Sequence, residues 1–117
     1  MISIRGAITV SENTKADILE SSKVLLLAIL ESNNLTHDDL ISIYFTATKD
    51  LTKAYPAVAA REIGLTNCSL SCVQEMYVEG SMKMCIRIQL LVNSDDCQKE
   101  AKHVYLREAK KLRPDIN

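Results

Sequence analysis

The chain has no tryptophan and one phenylalanine, and aromatic residues make up 4% of its 117 positions. Base-stacking surfaces need aromatic side chains, so nucleic-acid binding finds little support here. Neither sign of charge dominates: 14 Lys and Arg stand against 15 Asp and Glu, a formal net charge of −1. No global field therefore attracts polyanions or anionic membrane, and an anionic ligand would need a local cationic pocket. The longest apolar run, Val24 to Leu30, is far shorter than the roughly 20 residues of a membrane span. Met1-Ile2-Ser3-Ile4-Arg5 lacks a signal-peptide layout, because its apolar stretch is short and interrupted. These absences predict a cytoplasmic protein with neither nucleic acid nor membrane as partner.

The length suits one domain spanning 1–117, with a modest core. The four cysteines, Cys68, Cys72, Cys85 and Cys97, form no CxxC pair, and neither histidine stands near them in a zinc pattern. Reduced, partly buried thiols are expected, and no metal.

Ile2 to Val10 reads as a first strand, with Ile2, Ile4, Ile8 and Val10 on one parity and Arg5, Ala7 and Thr9 on the other. Arg5 thus points away from the main apolar face, and Gly6 marks a close backbone approach or a bulge. Thr14 followed by Asp17 resembles a capping box for a helix reaching about Ser32, where Asn33-Asn34 ends it. Thr36 to Asp39 looks like a single capped turn, with His37 at the surface. Leu40 to Thr48 alternates as a second strand, placing Ile41, Ile43 and Phe45 on one side. Pro56 to Ile63 suits a short helix closed by Gly64. Cys97 to Leu112 reads as helix, although His103-Val104-Tyr105-Leu106 could instead be extended, and Arg113-Pro114 stops any helix.

Between these lies the stretch Cys68 to Val92, which predicts a hairpin turning at Glu79-Gly80-Ser81. Each arm carries one mid-strand charge, Glu75 or Arg87. A charge buried alone is costly, so each needs a partner, a ligand or water. A three-residue loop would oppose Val78 to Met82, Glu75 to Cys85 and Val73 to Arg87. Glu75 and Arg87 would then share a polar face, while Leu70, Cys72 and Met76 join Met84, Ile86, Ile88 and Leu90 on an apolar one. A two-residue loop would bury Glu75 among Met and Ile, so the longer loop is favoured. An ion pair between Glu75 and Arg87 on a solvated face is the plain structural alternative to a site. The expected architecture is α+β: a β-α-β-α-β-β mixed sheet with helices on one face, its first two strands parallel across a helical crossover and its last two antiparallel.

The ordered set Ile4-Arg5-Gly6-Ala7, Ala47-Thr48-Lys49-Asp50-Leu51, Tyr55-Pro56-Ala57, Ala60-Arg61-Glu62, Cys72-Val73-Gln74-Glu75-Met76, Cys85-Ile86-Arg87, His103-Val104-Tyr105-Leu106 and Leu112-Arg113-Pro114-Asp115 resembles the monofunctional chorismate mutases of the trimeric, pseudo-α/β-barrel class. The likeness runs nearly end to end. It implies a homotrimer with active sites between subunits, isomerisation of chorismate to prephenate toward phenylalanine and tyrosine, and no cofactor. The reaction is a pericyclic Claisen rearrangement, which requires neither a nucleophile nor proton transfer. Holding the compact conformer and aiming fixed donors at the ether oxygen are what a protein can contribute.

By this resemblance Arg87 donates to the ether oxygen and reaches a carboxylate, and Glu75 accepts from the ring hydroxyl and faces the electron-poor ring. Arg5 and Tyr105 bind substrate carboxylate. Tyr55, Ala57, Ser71 and Cys72 line the pocket, Arg61 and Arg113 add positive field at its mouth, and Leu112 gives apolar cover. Two positions depart from the family pattern: Val58 stands where Lys is frequent, and Ser71 where Thr is common. The first motivates an alternative, a non-catalytic trimeric binding or regulatory protein for a small carboxylate in the same cleft.

Overall fold

The computed structural model describes residues 1–116. The elements are β1 (Ile2–Thr9), α1 (Lys15–Ser32), β2 (Leu40–Ala47), α2 (Ala57–Glu62), β3 (Ser69–Gln74), β4 (Cys85–Val92) and β5 (Val104–Leu106), with 3-10 turns at His37–Asp39, Gln98–Glu100 and Arg107–Leu112. The strands form one five-stranded sheet in the order β3-β2-β4-β1-β5. Mixed strand directions and helices on one face make this α+β, as expected.

Local capping sets the helix boundaries. Thr14 Oγ1 accepts from the Asp17 backbone N–H at 3.1 Å and opens α1. Asn33 closes it, its N–H donating to Ile29 and Glu31 carbonyls, and Asn34 takes φ +53°. The turn at Thr36 is a complete capping box with Asp39. Gly64 follows α2 at φ +92°, a conformation that glycine adopts without steric cost.

Alternation along the strands sorts the two sheet faces. Ile4, Ile8, Ile43, Phe45, Ile86, Ile88 and Leu90 are almost completely buried against α1 residues such as Ile18, Leu25 and Ile29. Gly6 lies on this face, and a Cβ there would sit 2.7 Å from the Val104 carbonyl oxygen and 2.8 Å from Ile29 Cδ1. The glycine therefore marks a close approach, not a bulge. The bulge lies in β2, where the register slips between Leu40 and Ser42. Leu40 takes the core position and Ile41 is turned out to 39% exposure, against its expected inward place.

The expected hairpin does not form. β3 pairs with β2 in parallel, and β4 runs antiparallel between β2 and β1. Both edges of β4 are thus occupied, and the segment from Glu75 to Met84 is a loop that turns at Glu79-Gly80 and hydrogen-bonds to the sheet backbone at its two ends. The cross-strand pairs Val78–Met82, Glu75–Cys85 and Val73–Arg87 fall with it, and Met76 is 78% exposed instead of buried. The physical reason is burial. β4 carries Cys85, Ile86, Ile88, Leu90 and Val92, all buried. The more polar β3 lies at the sheet edge, while β4 gains cover at the centre. β1 and β2 run in the same direction as expected, but with β4 inserted between them.

The C-terminal segment is likewise not a helix from Cys97. Only Gln98–Glu100 makes a turn; Val104–Leu106 is a fifth strand, parallel to β1, and helical geometry returns as the 3-10 turn Arg107–Leu112. Sheet pairing beside Gly6, Ala7 and Ile8 supplies backbone partners that a lone helix would have had to find within itself.

Candidate active site

The face of the sheet away from α1 and α2 carries the polar residues. Ala7 and Thr46 flank Arg87 in register, one on each neighbouring strand, and Val73 flanks Thr46 in turn. Glu75 lies two residues beyond Val73, so the parity of β3 brings it to the same face. Its backbone N–H still donates to the Ala47 carbonyl at 2.9 Å, which continues the β2–β3 ladder by one step. Glu75 and Arg87 therefore do share a face, but β2 brings them together rather than a hairpin.

The two charges meet with Arg87 Nε 3.2 Å from Glu75 Oε1, and their side chains keep 28% and 23% exposure. The contact is an ion pair without a hydrogen bond, since Arg87 Nε is fully buried and has no hydrogen-bond partner. Thr46 Oγ1 donates to the same Glu75 oxygen at 2.6 Å. Arg87 and Glu75 line a cavity of about 230 Å³ together with Thr48, Asp50, Tyr77 and Met82.

Polar anchors hold the loop over this cavity. Asp50 Oδ2 accepts from the Met84 N–H at 2.8 Å. Burial alone would raise the Asp50 pKa, but hydrogen bonds from Thr48 and from its own and the Met84 backbone N–H groups, with the Lys83 charge, bring it below its ordinary value. Lys49 Nζ lies 3.7 Å from the centre of the Tyr77 ring, a cation–π contact. Cys85, two residues before Arg87 on β4, is buried; burial pushes its thiol pKa up, against the opposing pull of Arg87. It is thus a packing thiol rather than a thiolate. All four cysteines are free.

Arg5 and Tyr105 share the Arg87 face. Arg5 is exposed, in register with Gln89, and its backbone N–H donates to His103 Nδ1 at 3.0 Å. Tyr105 lies beside Ala7 in a small apolar cluster with Cys85 and Ala109, and Leu112 packs against that cluster. Arg113 is held charged by Asp115 and also interacts with the Tyr105 side chain. Burial, then the Arg113 and Arg5 charges, hold His103 below its ordinary pKa of 6.5.

The remaining candidates lie elsewhere. Tyr55 and Cys72 line a second cavity of about 470 Å³, with Phe45 and Pro56. Cys72 faces the helix side beside Phe45, opposite in parity to Glu75, as the strand alternation implied. Ala57 is packed in the core, Ser71 lies on the open face in register with Tyr44, and Arg61 is exposed at the end of α2. Thr48 and Lys49 line both cavities, which are therefore neighbours. Thr46, Lys49 and Asp50 went unassigned in the sequence. The signal for Thr46 was its parity on β2, legible only once Arg87 is known to lie on the next strand.

This arrangement offers fixed donors and a held carboxylate, with no nucleophile–base pair. No group of three or more His, Cys, Asp or Glu among the described residues could hold a metal ion. Electrostatic stabilisation and conformer selection are the chemistry it can supply.

A family model described as chorismate mutase type I matches residues 1–116. The chain belongs to this family. The protein named chorismate mutase AroH of Thermus thermophilus is 46% identical over 114 residues, covering 97% of this chain and 93% of that protein. The protein of the same name from Bacillus subtilis strain 168 is 41% identical over 115 residues, covering 97% and 91%. A solved chorismate mutase from Clostridium thermocellum superposes with a TM-score of 0.91 at 50% identity, covering 93% of this chain and 97% of that one. The fold of this chain is thus shared with that solved chorismate mutase.

Proposed function

We propose that this chain isomerises chorismate to prephenate, a step toward phenylalanine and tyrosine, with residues 1–117 acting as one catalytic domain. The observation that carries the reading at residue level is the buried Arg87 Nε–H, which makes no hydrogen bond although it lies beside a carboxylate at a cavity wall. As the C–O bond of chorismate breaks, negative charge grows on the ether oxygen. A preorganised N–H donor in a poorly hydrated wall stabilises that charge without reorganisation. Glu75, held by Thr46, accepts from the ring hydroxyl and faces the ring that becomes electron-poor. Arg5 and Tyr105 bind substrate carboxylate, Arg113 adds positive field at the mouth, and Leu112 gives apolar cover.

Tyr55, Ala57, Ser71, Cys72 and Arg61 form the opposite wall, contributed by a neighbouring subunit of a homotrimer. Two observations support this division. The Arg87 cavity of about 230 Å³ is smaller than ligand sites usually are, roughly 300–1,000 Å³. The open face exposes Tyr44 and Val73, and the loop after β3 exposes Met76 and Tyr77, each by 52% or more, apolar surface of the kind that subunits cover. Lys49, at the junction of the two cavities, supplies a cation that Val58 cannot. The enzyme works in the cytoplasm; no helix among the described residues is long and apolar enough to cross a membrane.

The test is the rate of chorismate loss with purified protein, followed by the fall in its absorbance, alongside the mass in solution. Acceleration over the uncatalysed rate and a mass three times the 13.0 kDa of one chain are expected. A folded trimer without turnover refutes the catalytic reading and leaves the carboxylate-binding one. A catalytically active monomer refutes the inter-subunit site.

A further inference from the structure

We infer that Thr46 is a positioning residue that keeps Glu75 from closing onto Arg87 and decides which carboxylate oxygen faces the substrate. The inference deepens the proposed reaction and rests on it. Its starting point is the 2.6 Å hydrogen bond from Thr46 Oγ1 to Glu75 Oε1, the shortest side-chain contact that Glu75 makes.

The donor is rigid on every side. Thr46 is paired in register with Val73 on β3 and with Arg87 on β4, and a β-branched side chain on a strand has few rotamers to choose from. The acceptor is tethered too, through the Glu75 N–H to the Ala47 carbonyl at 2.9 Å. The hydroxyl has a single proton. Given to Oε1, it occupies one of the two lone pairs of the oxygen beside Arg87, fixes the carboxylate plane and leaves Oε2 turned away from Thr46.

The alternative arrangement is close at hand. A guanidinium and a carboxylate prefer a forked pair with two parallel hydrogen bonds. Arg87 Nε is already 3.2 Å from Oε1 but out of line for a hydrogen bond. A short rotation of the carboxylate would complete the fork. It would consume both the donor meant for the ether oxygen and the acceptor meant for the ring hydroxyl. Thr46 opposes that rotation by holding Oε1 from the β2 side. Each charge then stays near the other, which offsets its partial burial, without being neutralised by it.

The experiment compares wild type, Thr46→Val and Thr46→Ser, each alone and in the Glu75→Ala background, with kcat and KM measured separately and folding checked by circular dichroism. Valine keeps the shape and removes the proton; serine keeps the proton. Thr46→Val is expected to lower kcat by about tenfold to a hundredfold, the kinetic equivalent of one hydrogen bond to a charged group, with a smaller change in KM. Thr46→Ser should stay within about threefold of wild type, and Thr46→Val should have no further effect once Glu75 is Ala, because a residue acting through another is silent without it. If Thr46→Val does not fold, Thr46→Ala takes its place in the same cycle. The inference is overturned if the hydroxyl-free variant keeps kcat within twofold of wild type, or loses the same factor with and without Glu75. Either result leaves the chorismate reading intact, whereas a wild-type protein without turnover overturns both.

Discussion

Replacing Arg87 is the sharpest test of how this site works. The perturbation is Arg87→Ala, with Arg87→Lys beside it. Arg87 lies at the sheet centre between Ala7 and Thr46, and its Nε–H is buried without a hydrogen bond. In stability the change is small: the Glu75 pair is partly solvated at 28% and 23% exposure, and such a pair contributes only about 0–1 kcal/mol. Glu75 also keeps its Thr46 hydrogen bond at 2.6 Å. The catalytic cost is expected to be much larger. Loss of one preorganised donor to a developing oxyanion costs about 2.7–4 kcal/mol, or 10²–10³ in kcat. Lysine restores charge but places no donor at the Nε position, so Arg87→Lys should recover less than tenfold of the loss. The assay is the initial rate of chorismate disappearance across a substrate series, with a thermal melt as control for folding. A loss below tenfold for Arg87→Ala, with the fold intact, refutes the assignment of Arg87 as the principal donor. Full recovery by lysine would instead mean that charge alone matters and that the buried Nε–H is incidental.

Two further outcomes test the frame around the site. Gly6→Ala places a Cβ 2.7 Å from the Val104 carbonyl oxygen and 2.8 Å from Ile29 Cδ1, so β5 or α1 must shift; the expected loss is about 1–3 kcal/mol, read from urea melts, and an unchanged midpoint would show that β5 yields freely. His103 is held below 6.5 first by burial, then by Arg113 and Arg5. The unfolded chain therefore binds more protons between the two pKa values, and stability falls as pH drops from 6.5 through the folded value. His103→Asn should flatten that slope in melts taken across the window, and an identical slope in the variant would assign the dependence to another group.

Much of this architecture was legible in the chain because local chemistry determines it. Thr14 and Asp17, Asn33, Pro56 and Gly64 mark helix ends through hydrogen bonds and backbone preferences within a few residues. The parity of Ile2, Ile4, Ile8 and Val10 names the buried face of β1 for the same reason. The shared face of Glu75 and Arg87 was also legible, although the pairing offered for it was wrong. Both residues have the open-face parity in their own strands, and parity survives a change of neighbour. The likeness of the ordered motifs to chorismate mutases pointed to the family that the comparisons then established.

What the sequence could not decide is which strands lie side by side. A chain of alternating apolar residues separated by a glycine turn satisfies a hairpin as well as it satisfies two strands with a third between them. The choice depends on how much apolar surface each arrangement buries, which is a sum over the whole sheet. That sum puts β4 between β1 and β2, leaves residues 75–84 to arch over the Arg87 cavity, and adds Val104 to Leu106 as an outer strand beside Gly6. It also brings Thr46 beside Arg87 and within 2.6 Å of Glu75. By itself the sequence determined the caps of the two helices, the parity of β1 and the identity of the two opposed charges. Only the tertiary structure decided that a threonine from a third strand stands beside them, because strand adjacency is a non-local property and residues 46, 75 and 87 meet only once the entire sheet has assembled.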